Sequence, residues 1–432
     1  MKRDAPPQSD WYPAMDRWMA APLKDFPREE VGKLLKQCET TFQETEAGAR
    51  SEDCDWGLTE KLRKTGVSTL LPDVQEMRAI ASLLQLRIRL ELAEGRTDKA
   101  VGTLRTGFAL ARHVADQPTL ICALVGIAVA SLMETRLEEV VQQPDAPNLY
   151  WALADLPRPF IDLHKPFQGE RVMAYGSFPG VAEAAADLNA KPWTPEQVLK
   201  GADLRLLLEE ERLPLPEAAE TAALAFRVLA RHEGAKKRLI EQGRPKELVD
   251  AMPHLQVAML DAFLQYDQLF DDSMKWQGLP YWEAQPGMKK AQERHVKILE
   301  DKNGPTLPIA RLLLPAVLKI VAARVRCDVW LDGEFERSTQ VLKIVAARVR
   351  CDRRIAALRC VEAVRLYAAA HDGKLPASLD DIKDVPLPPD PVNGKPFDYR
   401  VAGDRAYLSC LPIPDQPANN ATMPTYELSI KR

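Results

Sequence analysis

The sequence lacks most of the patterns that would assign it a chemistry. The zinc-protease pattern HExxH is missing, since "HEGAK" at His232 supplies only its first half. No Walker A loop, GxGxxG or GxSxG occurs, so the phosphate cradle, the dinucleotide turn and the nucleophile elbow are not available as starting points. The histidines His113, His164, His232, His254, His295 and His371 form no tight ligand spacing with one another. Seven cysteines are present, Cys38, Cys54, Cys122, Cys327, Cys351, Cys360 and Cys410, an odd number without a CxxC pair. This argues against a disulfide framework or a zinc site. Cys122, Cys351 and Cys360 fall in helical apolar patterns and read as buried thiols. No metal or cofactor is expected. A strong charge of either sign is also missing: a net −4 over 432 residues implies no global electrostatic partner, and nothing asks for nucleic acid. The N-terminus "MKRDAPPQSDWYPAMDRWM" has no apolar signal segment. The long apolar run Thr119–Met133 covers 15 residues, short of a comfortable membrane span, and reads as a buried core helix. The expectation is a soluble chain without a transmembrane segment, cytoplasmic as written, with envelope association left open.

What is there is helix. Hydrophobic residues at 46% and charged residues at 28% are a globular balance, and the length allows two or three domains. Pro27 followed by Glu29 and Glu30 is a helix-start signal. "VQEMRAIASLLQLRIRLELAEGR" and "TDKAVGTLRTGFALARHVAD" are two amphipathic stretches joined around Gly95, with Thr97 or Asp98 as a candidate cap for the second. They predict an antiparallel helical hairpin. Gly95, Ala100 and Leu104 resemble one degenerate tetratricopeptide-type unit, which implies helix-on-helix packing. In Thr119–Val141, the small residues Ala123, Gly126, Ala128 and Ala130 permit close helix approach at the centre of a bundle. "TPEQVLKGADLRLLLEEERL", "LPEAAETAALAFRVLARHEGAKKRLIEQG" and "PHLQVAMLDAFLQYDQLFDDSMKWQ" continue the pattern. Strand signals are absent before about residue 390. The reading is mainly α: an all-α array of hairpins over 20–300, then a long helix and a small antiparallel sheet over 306–432.

"VLKIVAARVRCD" occurs twice, at Val317–Asp328 and Val341–Asp352, exactly 24 positions apart. On one helix that spacing rotates the second copy by about 120°. Asp332-Gly333 is a turn signal and Ser338 a candidate cap, so Val329–Gln340 is expected to be an exposed connection. With one 24-residue unit removed, the remainder reads as a single amphipathic helix, which points to a tandem duplication inside a long helix. In the second copy and beyond it, Leu342, Val345, Val349, Ala356 and Cys360 form an apolar stripe, with Lys343, Arg350 and Arg354 opposite. Across 311–360 there are eleven Lys or Arg against five Asp or Glu. That basic stripe is expected to be a solvated face.

The C-terminal stretch is more distinctive. Asp390-Pro391 and Asn393-Gly394 are turn chemistry, "FDYRV" and "RAYLSC" predict a hairpin, and "TYELSI" predicts a third strand. Tyr367, Gly373, Pro376, Ser378, Leu379, Asp390, Pro391, Gly394, Pro396, Phe397 and Tyr399 resemble the globular part of the major pseudopilins of type II secretion. The resemblance implies a long helix feeding a small sheet. It implies a fold more than a function, because the prepilin cleavage motif and membrane helix of pseudopilins do not precede the module in this sequence. The whole chain also resembles an uncharacterised family of helical bacterial proteins ending in this module.

Three clusters are candidate sites. Asp261, Asp267, Asp271 and Asp272 could bind a cation or form a solvated acidic face. Glu170-Arg171 could be an active-site pair or a structural ion pair. Trp276, Tyr281 and Trp282, gathered in "WQGLPYWEA", could be a partner-binding hot spot or aromatic packing. The leading expectation is a non-enzymatic helical scaffold with an unknown protein partner. The alternatives are a hydrolase-like enzyme with its site in a groove of the helical part, or a component of a secretion or envelope assembly. The duplication gives a direct test: deleting Val317–Gln340 should leave stability to denaturant unchanged or higher. A loss of several kcal/mol, against whole-domain stabilities of about 5–15 kcal/mol, would show that both copies are built into the core.

Overall fold

The computed structural model describes residues 8–201, 217–300, 340–413, 419 and 422–429. Among them are sixteen α-helices and one three-stranded antiparallel sheet, the mainly α architecture with a small C-terminal β module that the patterning predicts. The first helices are α1 (Gln8–Ala20), α2 (Arg28–Gln37), α3 (Glu39–Ala49) and α4 (Leu58–Thr65). Then come α5 (Pro72–Ala93), α6 (Thr97–Ala115), α7 (Leu120–Val141) and the short α8 (Tyr150–Ala154). Next are α9 (His164–Gly176), α10 (Pro179–Ala186) and α11 (Pro195–Gly201), then α12 (Glu217–Glu241), α13 (Lys246–Ala251), α14 (His254–Met274) and α15 (Tyr281–Glu300). The last is α16 (Gln340–Ala370), followed by β1 (Asp398–Ala402), β2 (Arg405–Ser409) and β3 (Thr425–Ser429). The first repeat copy with its Cys327, the connection over 329–339, and the helix expected beyond Gly201 lie outside the described residues.

Glycine and capping residues set the boundaries. Gly95 turns α5 into α6 with φ +70°. Thr97 does not cap α6: its hydroxyl donates to Asp145 instead, at 3.0 Å. At α11, Thr194 Oγ1 accepts from Gln197 N–H while the Gln197 side chain accepts from Thr194 N–H, a reciprocal cap. Helix α7 is the axis of the bundle. Thr119 caps it by accepting from Cys122 N–H at 3.1 Å, and Gly126 lets α6 approach closely. A Cβ at Gly126 would lie 2.5 Å from Ala115 Cβ and 2.6 Å from the Ala111 carbonyl. The helix runs 22 residues, past Met133, and by length and composition alone it could cross a membrane. In this fold its residues are mostly buried against α5, α6, α9 and α16. None of the six described cysteines is in a disulfide, and five of them are buried.

Helix α16 carries the second repeat copy as one continuous 31-residue helix. Ile344, Val345, Ala347, Val349 and Cys351 join the core of the helical bundle. Ala356, Ala357, Cys360, Val361, Ala363 and Val364 pack against Phe397, Ala406, Leu408, Cys410 and Leu428 of the C-terminal module. Alternation along β2 turns Ala406 and Leu408 inward. The sheet order is β1-β2-β3, with Ala402 opposite Arg405 and Arg405 opposite Ser429.

The basic residues of α16 are not the solvated face that charge counting predicts. Arg348, Arg353 and Arg359 are buried, and Arg354 is largely so. Arg354 crosses to α7, donating to Glu138 at 2.9 Å and approaching Glu134 at 3.5 Å. Arg365 donates to Glu362 and to the Ala146 carbonyl. Arg353 is 1% exposed and meets Asp390, itself 2% exposed. Its Nε and Nη2 both donate to Asp390 Oδ2, its Nη1 donates to the Thr422 carbonyl at 2.7 Å, and Nη2 also reaches the Leu411 carbonyl. A guanidinium this deep must have its charge and donors satisfied, because removing one member strands the other in low dielectric. Arg353→Met and Asp390→Asn should therefore each destabilise the chain by about 3–5 kcal/mol in urea unfolding. The double replacement should cost less than the sum of the two, and strict additivity would mean that the pair does not anchor the module.

Candidate functional site

Two chain segments, one helix face and one turn meet around a cavity of about 390 Å³, the size of a small-ligand pocket. One wall is the end of α8 and the segment after it, with Leu153, Leu156 and Pro157 to Phe160. A second is the stretch from Gln277 to Trp282, the turn before α15 and the start of that helix. The third is α16, and the fourth is Pro388, Pro389 and Pro391 of the turn that holds Asp390. The prolines set this up locally: they stop helices on either side and leave stiff, extended chain with few free donors.

Helix α16 presents Arg348, Asp352, Ile355 and Arg359 to the cavity. The spacing i, i+4, i+7, i+11 places all four on one side of a helix. Asp352 accepts from Phe160 N–H at 2.8 Å, which pins the first wall to the helix. Burial pushes the Asp352 carboxyl up to about 6, against the pull of Arg348 and the Phe160 N–H. Arg348 approaches Asp352 only to 3.9 Å, and among the described residues its guanidinium makes no hydrogen bond. Arg359 donates from Nη2 to Tyr150 Oη at 3.2 Å and lies over the Tyr150 ring. Its Nε has no hydrogen-bond partner, and among the described residues no carboxylate comes within 4 Å of it. Tyr150 is itself fixed by donating to the Pro386 carbonyl.

The aromatic cluster divides. Tyr281 is 6% exposed and lines the cavity. Trp282 lines it too, remains 38% exposed, and rests its ring on Gly394 of the C-terminal turn. Gly394 has φ +70°, and a Cβ there would come within 2.8 Å of the indole, so both backbone and contact demand glycine. Trp276 is not part of the wall. It packs on Gly287 of α15, where a Cβ would fall 2.5 Å from its ring. The residues that sequence reasoning missed are Arg348, Asp352 and Arg359. The signal was a polar residue recurring at helical spacing inside an otherwise apolar helix.

The other two clusters resolve into ion pairs and one buried hydrogen bond to backbone. Among the described residues Glu170 and Arg171 do not pair with each other. Glu170 is buried and accepts from Leu120 N–H at 2.6 Å, placing a carboxyl at the positive end of α7. Arg171 pairs with Asp267 at 2.8 Å and Asp271 at 3.0 Å and lies over the Phe270 ring. Tyr175 donates to Asp267 as well. The aspartates are not a solvated acidic face. Asp261 is 1% exposed and held by Arg238 at 2.6 and 2.7 Å, while Asp272 pairs with Lys275 and Arg294. Comparison of the chain with protein-family models, curated proteins and solved structures finds no match.

Burial raises the Glu170 carboxyl to about 8, with the Leu120 N–H pulling the other way. The folded state thus keeps a proton between pH about 4.5 and 8 that the unfolded state has released. This group's contribution to stability is full below that window and falls through it by about 1.4 kcal/mol per pH unit. Glu170→Gln keeps the acceptor for Leu120 and removes the titration. The variant should match the wild type near pH 4.5 and exceed it increasingly up to pH 8. Parallel stability–pH curves for the two proteins would refute this role for Glu170.

Proposed function

We propose that the protein is a non-catalytic binding protein, a helical scaffold that holds a protein partner at the rim of the cavity between its helices and its C-terminal module. The carrying observation is the segment Gln277–Trp282, the turn before α15 together with the first two residues of that helix. It seals the cavity with Tyr281 and leaves Leu279 and Trp282 exposed at its edge, 42% and 38% respectively. A half-exposed indole held in place by Gly394 is a preorganised anchor of the kind that dominates protein interfaces. The charged groups of the wall among the described residues are three arginines, Arg158, Arg348 and Arg359, and one carboxylate, Asp352, beside the neutral Gln277, Tyr281 and Trp282, a set that suits holding better than proton transfer.

A second reading, an enzyme site in the helical part, is favoured by Arg171, Tyr175, Asp267 and Asp271. These converge beside a surface hollow whose lining includes Arg63, Arg171, Tyr175 and Glu183. Two features weigh against it. Both Asp267 oxygens are already hydrogen-bonded, and burial together with the neighbouring Asp267 raises the Tyr175 hydroxyl, keeping it protonated. The cluster reads better as a brace between α9 and α14.

The test is panning a random-peptide display library against the full chain. Selected peptides should lose at least tenfold in affinity, about 1.4 kcal/mol, for the double variant Leu279→Ser/Trp282→Ser, and should be indifferent to Asp267→Asn. Enrichment of peptides that ignore the rim, or that depend on Asp267, would overturn the proposal.

A further inference from the structure

Independently of the rim, the interior of the cavity has a charge that the protein itself does not balance. Among the described residues three arginines, Arg158, Arg348 and Arg359, and one carboxylate, Asp352, line it. Arg158 is exposed and donates to the Ala154 carbonyl, so the buried charges of the wall leave one net positive charge. Asp352 lies one turn from Arg348 and approaches it to 3.9 Å, so the uncompensated cation is Arg359. That side chain is 4% exposed, its Nε lacks any hydrogen-bond partner, and its one described bond is to the neutral Tyr150 hydroxyl. A buried guanidinium in this state is costly until an anion reaches it. Between Asp352 and Arg359, about 10 Å of helix rise, the surface offered by α16 is Ile355 and Ala356, and Leu153, Leu156 and Phe160 contribute the apolar side facing them.

We propose that the cavity is a binding site for a small monocarboxylic acid with an unbranched apolar stem, its carboxylate seated on Arg359 and its stem lying along Ile355 and Ala356 toward Asp352. One buried cation without a carboxylate partner calls for one negative charge, and a planar carboxylate matches a guanidinium in charge and shape.

The experiment is isothermal titration calorimetry of the full wild-type chain with sodium decanoate and with 1-decanol, both below their aggregation limits. Decanoate should bind at least tenfold more tightly than decanol. Arg359→Met should abolish the preference for decanoate over decanol, and Arg359→Lys should retain part of it. Failure of decanoate to bind the wild-type chain, equal binding of acid and alcohol, or an undiminished preference in a folded Arg359→Met protein would each overturn the proposal. The wild-type comparison stands whether or not the variants fold. It is also separate from the rim reading, because the Leu279→Ser/Trp282→Ser variant keeps Arg359 and should keep the preference for acid over alcohol.

Discussion

The pairing of Arg353 with Asp390 is the constraint on which the rest of the C-terminal half depends. A guanidinium 1% exposed cannot exchange its partners for water, so its position fixes theirs. Asp390 answers with both oxygens: Oδ2 accepts from Arg353, and Oδ1 accepts from Val392 N–H to shape the turn. The same guanidinium holds the carbonyls of Leu411 and Thr422, which lie between β2 and β3. One side chain of α16 therefore sets the turn, the end of one strand and the approach to the next. The prolines flanking Asp390 become a wall of the cavity as a result, and Gly394 is carried to the ring of Trp282.

Helix α16 distributes its arginines over separate surfaces. Arg354 turns to α7, Arg353 to the C-terminal turn, Arg365 back to the Ala146 carbonyl, and Arg348 and Arg359 to the cavity. This division explains why the helix is buried on most sides without being purely apolar. Long side chains reach past the helix radius with their stems packed and their heads paired. Arg359 is the exception to the pairing, and that exception gives the cavity its chemical character.

Buried carboxyls follow a different logic. Glu134 belongs to α7 and Glu170 meets its first turn, and burial raises each to about 8. Glu134 sits between Arg354 and the Cys351 thiol, 1% exposed, and Glu170 sits at the first turn of the helix. Perturbed carboxyls are often a sign of catalysis. Here neither lines a described cavity, and each serves a contact between helices.

Much of the secondary structure was legible in the sequence because its causes are local. The 3.6-residue period, the glycine after α5 and the period-2 alternation of β2 all act between neighbours along the chain, as does the Asp390–Gly394 turn. Aromatic concentration alone also drew attention to Tyr281 and Trp282, while Trp276, equally conspicuous, turned out to pack on Gly287. The cavity was not legible, because its walls come from segments as far apart as Leu153 and Pro391. Nor was the fate of the arginines. A sequence shows that Arg348, Arg353, Arg354 and Arg359 are charged, and a charged residue is by default solvated. Only the tertiary structure decides which of them are withdrawn from water and what meets them there, because desolvation and its compensation depend on groups brought close across the fold and not along the chain.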